Sequence, residues 1–224
     1  MQWIRYFFIQ FPSRSKRLLR HVVFPFYRKS ANPFPPSGIL EWCTDTTFYV
    51  MDIVALPEIY HFIFRFTKRN IRSLSAAEIL LGQSVFGHNI QYHLVSIDDM
   101  AILGTKKIAE AYVSFNIINY RTKLKKEIFI HELVHIWQFQ QFGSIYLARA
   151  IKAQRSKEGY DYGGVSNLYQ VMLRGGKLSD FNFEQQADII EDYYRIMIDP
   201  IKSGPMHHHI YGYFVKGLEV YTYF

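Results

Sequence analysis

Two histidines and a glutamate near the middle of the chain have the spacing of a metal-binding helix. His131 and His135 are four residues apart, and Glu132 directly follows the first of them. In a helix with 3.6 residues per turn, positions i and i+4 lie on one face, so both imidazoles can reach one metal ion. Glu132 would flank that ion without binding it. The pattern predicts a zinc hydrolase in which Glu132 takes a proton from a water activated by the metal.

The neighbouring residues favour a metal site over two unrelated histidines. Segments 127–130 and 136–139 are mostly apolar, which predicts a buried helix over residues 123–142. Buried histidines need partners, and one metal ion would satisfy both of them. Gly143 suits the C-terminal cap of this helix.

A catalytic zinc needs a third protein ligand, and a later segment offers several carboxylates. Residues 182–194 contain no Gly or Pro and have an apolar stripe with helical spacing. Glu184 and Asp188 share one face, so one could bind the metal while the other accepts the N–H of a ligating histidine. The alternative is a solvated polar face. The other candidate ligands are Glu158, Asp161, Glu191 and the three histidines at 207–209.

Together these two segments resemble the gluzincin branch of the zincin metallopeptidases. A closer similarity is to small zincin-like peptidases associated with bacterial contractile injection systems, including the Vgr and Rhs proteins of type VI secretion. It covers about residues 74–198, and its clearest stretches are residues 84–87, 131–138, 160–162 and 184–194. The 48 residues between His135 and Glu184 exceed the spacing of better-known gluzincins. This predicts an insertion, with turns at 163–164 and 175–176.

The resemblance implies an α+β zincin-like fold, in which a small mixed sheet packs on the active-site helix. It implies that His131, His135 and Glu184 bind Zn²⁺, and that Asp188 orients a ligating histidine. It also implies that an edge strand before the zinc helix binds the substrate backbone, and residues 112–118 are the candidate. An ordinary internal strand is the alternative for that segment.

Peptide cleavage also needs a donor for the oxyanion of the tetrahedral intermediate. The candidates are Tyr160, Tyr162 and His208; their alternatives are core packing for the tyrosines and a solvated loop for the histidine. The sequence contains no glycine-rich phosphate loop, paired-cysteine zinc site or nucleophilic-serine motif.

Local patterns predict some of the remaining elements. Ser75, with Glu78 three residues later, predicts a capped helix that ends before Gly87. Residues 90–97 and 111–118 have the pattern of strands. Residues 45–66 are apolar and predict a helix or strand broken at Pro57.

The net charge of +7 belongs entirely to the N-terminal segment. Residues 1–40 carry seven basic side chains and no acidic one, whereas the remaining residues carry 19 of each. We expect residues 1–38 to form a basic, aromatic arm that ends in a Pro-rich linker at 32–38, and residues 39–224 to form the metallopeptidase domain. The arm could bind an anionic membrane or a secretion apparatus, or pack on the core with its bases in water; a nucleic acid is not expected.

The composition is that of a globular protein, with 49% apolar and 17% aromatic residues. The single cysteine, Cys43, excludes an intrachain disulfide. We see no membrane-spanning run and no cleavable signal peptide, so we expect cytoplasmic synthesis, with export by a contractile injection system as a further expectation. The expected function is a zinc metallopeptidase that cleaves a peptide or protein. The alternative is an inactive zincin-fold binding module attached to a membrane or secretion apparatus.

Overall fold

The computed structural model describes residues 2–24, 34–101 and 110–219. Nine helices and a small sheet within these residues confirm the predicted α+β class. The helices are α1 (Gln2–Val23), α2 (Ile39–Ile53), α3 (Leu56–Thr67), α4 (Ala76–Phe86), α5 (Lys126–Phe142), α6 (Ile145–Gln154), α7 (Gly164–Leu173), α8 (Phe183–Ile198) and α9 (Pro200–Val215). The strands are β1 (Ile71–Ser73), β2 (Ser96–Asp98), β3 (Ala111–Ser114) and β4 (Ile117–Tyr120).

The four strands found in the described ranges form one mixed sheet in the order β1-β2-β4-β3. β2 and β4 run parallel, whereas β1 pairs with β2, and β3 with β4, in antiparallel fashion. β3 and β4 form a hairpin in which Val113 pairs with Ile118. β3 lies at one edge of this sheet and contacts α5, so the edge strand is close to the helix that carries the two histidines.

The predicted strand over residues 111–118 is in fact this hairpin. The chain reverses at Phe115, which adopts a positive φ of 58°. The hydroxyl group of Tyr146 on α6 accepts a hydrogen bond from the Phe115 N–H and donates one to the Val113 carbonyl, both at 3.1 Å. A contact from a later helix thus stabilises the turn, and a pattern of alternating residues could not show it.

The strand predicted over residues 90–97 was wrong for most of its length. Residues 92–94 form a short 3-10 helix, and β2 begins only at Ser96. The apolar side chains of Ile90, Tyr92 and Leu94 are all buried. These buried side chains alternate with polar ones in the sequence, and that alternation suggested a strand.

α5 is buried along most of its length, as its apolar flanks predicted. It begins at Lys126 rather than at 123 and ends at Phe142. Gly143 follows with φ of 78°, and a Cβ at this position would lie 2.0 Å from Oδ2 of Asp52. The Asp52 carboxylate accepts the backbone N–H of Ser144 at 3.0 Å, so this close approach ties α2 to the end of α5.

The predicted capping box is confirmed at the start of α4. The Ser75 side chain accepts the Glu78 N–H, and Glu78 accepts the Ser75 N–H in return. Residues 45–66 form two helices, but the break lies at residues 54–55 rather than at Pro57. Ala55 adopts φ of 57°, and Pro57 occupies the first turn of α3, where its missing N–H costs nothing.

α1 covers most of the predicted arm and packs against α2 and α3. Its side chains Tyr6, Arg14 and His21 are buried, so not all of its bases are in water. The predicted roles of residues 25–33, which include Arg28, Lys29 and the first residues of the linker, lie outside the described residues.

Among the described helices, none is by itself both long and apolar enough to cross a membrane. The bent pair of α2 and α3, with 61° between the two helices, meets the length and composition criteria only when both are taken together.

Candidate metal centre

Two helices bring the predicted ligands together. α5 presents His131 and His135 on one face, and their rings lie 5.1 Å apart between centroids. α8 packs against α5 and places Glu184, in its first turn, opposite both rings. Asn182 caps α8 by accepting the Glu184 N–H at 3.0 Å, which determines where that first turn begins.

The predicted carboxylate ligand atom lies at distances from the two imidazole nitrogens that are close to those between the ligands of a tetrahedral zinc. Oε2 of Glu184 lies 3.7 Å from Nε2 of His131 and 3.5 Å from Nε2 of His135. Ligands about 2.1 Å from one tetrahedral zinc would be about 3.4 Å from each other. Both distances are too long for good hydrogen bonds. Oε2 of Glu184 is buried and has no hydrogen-bond partner among the described residues, which is the state of an atom that a cation would satisfy.

Two carboxylates of α8 bind the other nitrogen of the His131 ring. Nδ1 of His131 donates to Oε2 of Glu191 at 3.0 Å, and Oδ1 of Asp188 lies 3.2 Å from the same nitrogen. Asp188 therefore lies where its predicted orienting role requires. Glu191, which we considered as a third ligand, is a second carboxylate in that orienting position. Burial lowers the pKa of His131, but Asp188, Glu184 and Glu191 raise it more, so the net pKa lies well above the usual value.

His135 has a different partner, which the sequence analysis missed. Its Nδ1 lies 2.8 Å from Oε1 of Gln138, and the Gln138 amide nitrogen donates to the Phe183 carbonyl and to Gln186. The signal was available, because Gln138 follows His135 by three residues and so shares its side of the helix. Both histidines thus direct Nε2 toward Glu184 while Nδ1 is held by a hydrogen bond.

The second oxygen of Glu184 is held in place by α6. Oε1 accepts a hydrogen bond from Nε2 of Gln154 at 2.8 Å, which leaves Oε2 directed at the two rings. Burial raises the pKa of Glu184, but the imidazoles of His135 and His131 lower it more, so the carboxylate is ionised at neutral pH. An ionised carboxylate is the form that binds zinc.

Glu132 lines the same cleft as the three predicted ligands. The cleft has a volume of about 230 Å³, and its other walls include Tyr160 and residues 111–113 of β3. Glu132 is buried, and its Oε2 has no hydrogen-bond partner in the part of the chain described. Burial raises the pKa of its carboxyl group despite the two nearby histidines. These are the properties of a carboxylate that can accept and return a proton.

Tyr162 and His208, the predicted oxyanion donors, do not line the cleft. The Tyr162 hydroxyl is engaged by Asp192 and by Tyr211, with 2.6 Å between the two hydroxyl oxygens. His208 lies on α9, where it borders a separate cavity beside Tyr193. Tertiary packing therefore places neither side chain in the cleft. Tyr160, the remaining candidate, does line the cleft, with its ring centroid 6.3 Å from that of His131.

Two other candidate ligands also lie outside the cluster. Glu158 borders a different cavity, and Asp161 uses Oδ1 to accept the Gly163 N–H at 2.7 Å. Within the described residues, the groups with suitable metal-binding geometry are His131 with His135 and Glu184, and His131 with Asp188 and Glu191. The second group uses Nδ1 of the same His131 ring, so it describes the orienting carboxylates rather than a separate centre.

Comparison with known proteins found one significant curated relative. The chain is 31% identical over 136 residues to the type VI secretion system spike protein VgrG2b of Pseudomonas aeruginosa. The match covers 55% of this chain and spans only 13% of the length of that relative. No protein-family profile and no solved structure matches significantly. The predicted similarity to a type VI secretion protein is therefore confirmed, and the comparison does not bear on catalysis.

Proposed function

We propose that this protein is a zinc-dependent hydrolase of the metallopeptidase class. The observation that carries the proposal is the convergence of two imidazole nitrogens and one buried, unpartnered carboxylate oxygen beside Glu132. The zincin-like assignment of the fold belongs to the same proposal. It rests on the pairing of α5 with α8 and on the edge strand next to them.

In this proposal His131, His135 and Glu184 hold Zn²⁺, which when bound polarises a carbonyl group and lowers the pKa of a water molecule. Glu132 accepts a proton from the attacking water and passes it to the leaving amine. The raised pKa of Glu132 suits the first part of this role, because a carboxylate with a higher pKa is a stronger base toward the attacking water. Asp188 and Glu191 on one side, and Gln138 on the other, keep the two rings oriented.

The cleft wall suggests a peptide substrate. Residues 111–113 of β3 line the cleft, and β3 is an edge strand within the described residues, so an extended peptide can add to it through main-chain hydrogen bonds. This corrects the predicted substrate strand, since residues 117–118 belong to β4, which lies between β2 and β3. Tyr160 also lines this cleft and is our candidate for the oxyanion donor.

We extend the proposal to the setting in which the enzyme acts. The matched relative is named as a spike protein of type VI secretion, and the similarity supports an association of this chain with such a system. We propose that the peptidase is an effector delivered by a contractile injection system. Detection of the protein outside the producing cell, and its loss when contraction is blocked, would test this part independently of catalysis.

The central experiment combines zinc content with peptide cleavage. We expect one zinc per purified chain, no zinc in His131→Ala, and full zinc but no cleavage in Glu132→Gln. His208→Ala is the matched control, because His208 is an exposed histidine outside the cleft, and it should retain both properties. Cleavage at the native rate by Glu132→Gln would refute the general-base role. Zinc binding without cleavage of any peptide by the wild-type protein would instead favour the inactive binding module.

A further inference from the structure

The outer face of α1 is apolar. Five apolar residues on this helix are separated by three, four or eight positions, which places them along one side: Ile4, Phe8, Phe11, Leu19 and Val22. All five are exposed, and 67% of the Phe8 side chain is accessible. A surface helix of a soluble protein normally turns such a stripe toward the core.

The polar side of α1 is the side that packs on the protein. Arg14 is buried and binds Glu58 at 2.5 Å and the Asp52 carbonyl at 2.7 Å. His21, also buried, bonds to the Trp42 carbonyl at 3.0 Å. These contacts fix the rotation of α1 about its axis. If the helix turned its apolar stripe toward the core, the ion pair between Arg14 and Glu58 would be broken.

α3 repeats this arrangement. Ile59, Phe62, Ile63 and Phe66 are exposed, with 75% of Phe66 accessible, and the rings of Phe62 and Phe66 lie 4.5 Å apart. Its buried side carries His61. We call these four residues, together with the stripe on α1, the apolar face. An exposed area of this kind marks a surface that binds something.

The charges beside the apolar face are positive. Arg5 and Lys16 on α1, and Arg65 and Arg69 on or just after α3, are exposed. By contrast, no acidic side chain is exposed in residues 2–24 and 34–69. The four acids of that part of the chain are buried or half-buried and pair with Arg or Lys: Glu41, Asp45, Asp52 and Glu58.

We propose that the apolar face is a docking surface for an anionic lipid bilayer, with α1 and α3 in the interfacial region. Anionic bilayers bind surfaces that combine exposed aromatic and aliphatic side chains with cations and that expose no acidic side chains. Aliphatic side chains such as Ile59 and Ile63 do not stack on bases, which disfavours a nucleic acid. A second copy of the chain would bring like charges together, which disfavours self-association.

Vesicle flotation with the full chain tests this proposal. We expect the wild-type protein to float with vesicles of phosphatidylglycerol and phosphatidylcholine, and to bind pure phosphatidylcholine vesicles about tenfold less. The double variant Phe62→Ser/Phe66→Ser should lose binding by about tenfold or more, because it removes two interfacial anchors. Leu80→Ser/Leu173→Ser is the matched control, since both leucines are exposed on other helices, and it should bind as the wild type does.

A separate pair of variants tests how much the cations contribute to vesicle binding. Arg65→Gln/Arg69→Gln should weaken binding to the anionic vesicles severalfold, whereas Lys157→Gln/Lys177→Gln, two exposed lysines elsewhere, should not. The proposal is overturned if the wild-type protein binds neither vesicle, or if the Phe62/Phe66 variant binds as well as its control. It is also overturned if that variant only abolishes a dimer seen by light scattering, because the face would then serve self-association.

Discussion

Nδ1 of His135 lies 2.8 Å from the side-chain oxygen of Gln138, one turn further along α5. The Gln138 amide nitrogen donates to the Phe183 carbonyl at 3.0 Å and to Oε1 of Gln186 at 3.1 Å. Gln186 is itself oriented, because its nitrogen donates to the Phe181 carbonyl at 2.8 Å. The Gln138 oxygen must therefore face His135, so Nδ1 carries a proton and donates it, which leaves Nε2 as the ring nitrogen that can bind a cation beside Glu184.

This chain of amides predicts a loss of zinc affinity when Gln138 is changed. Gln138→Leu removes the acceptor for Nδ1, so the ring loses its preferred tautomer and orientation, and we expect zinc to bind about 10- to 100-fold more weakly. Competition with a chromophoric chelator measures this. Gln140→Leu is the control, because Gln140 is on the same helix but bonds to Gln91 and Asn116. Equal zinc affinity in the wild type and Gln138→Leu would contradict the positioning role.

The two carboxylates at Nδ1 of His131 are expected to differ in importance. Glu191 is nearer, at 3.0 Å, and is buried, whereas Asp188 lies at 3.2 Å and is partly exposed. Glu191→Gln should therefore weaken zinc binding more than Asp188→Asn, since a buried charge interacts more strongly with the ring than a solvated one. The same chelator competition compares them. A larger loss of zinc affinity in Asp188→Asn would contradict this order. It would favour the family resemblance, which assigns the orienting role to Asp188.

The metal-free protein should lose stability as the pH rises above about 6.5. The folded-state pKa of His131 is raised, so the stabilisation from its charged form is complete below the ordinary pKa of about 6.5 and disappears as the pH passes through the folded value. The pKa of Glu184 is lowered, so its contribution is present above about 4.5 and is lost only in acid. Thermal midpoints of the chelator-treated protein should thus be highest between about pH 4.5 and 6.5.

The variant His131→Gln provides the control for this pH dependence. Without the titrating ring, the decline of the thermal midpoint above about pH 6.5 should become shallower, even if the variant is less stable throughout. An unchanged slope in His131→Gln would assign the decline to other groups.

A substitution at Gly82 should destabilise the packing of α4 on α5. A Cβ at this position would lie 2.6 Å from Cε1 of Tyr92 and 2.9 Å from Cδ1 of Leu133, and all three residues are buried. We expect Gly82→Ala to lower the free energy of unfolding by about 1–3 kcal/mol. Ser84→Ala, at an exposed position on the same helix, should change it by less than about 0.5 kcal/mol. Urea denaturation followed by circular dichroism would show the difference.

Residue spacing in the sequence was enough to predict the features that lie within one helix. His131, Glu132 and His135 share α5 because 3.6 residues per turn determines which side chains are neighbours, and this holds wherever the helix is placed. The capping box of Ser75 and Glu78 is equally local, since both hydrogen bonds close within one turn. The position of Glu184 and Asp188 on a common helical face was predictable for the same reason, and the resemblance distinguished their roles.

Tertiary structure decided which distant groups meet. Tyr160 lines the cleft while Tyr162, two residues later, bonds to Tyr211, and no property of the sequence separates these two tyrosines. The break of the predicted strand at Phe115 likewise depends on a hydroxyl group 31 residues away. Such contacts depend on how whole helices and strands pack against each other. A side chain can bond only to the groups that this packing brings near it, and local sequence does not determine which groups those are.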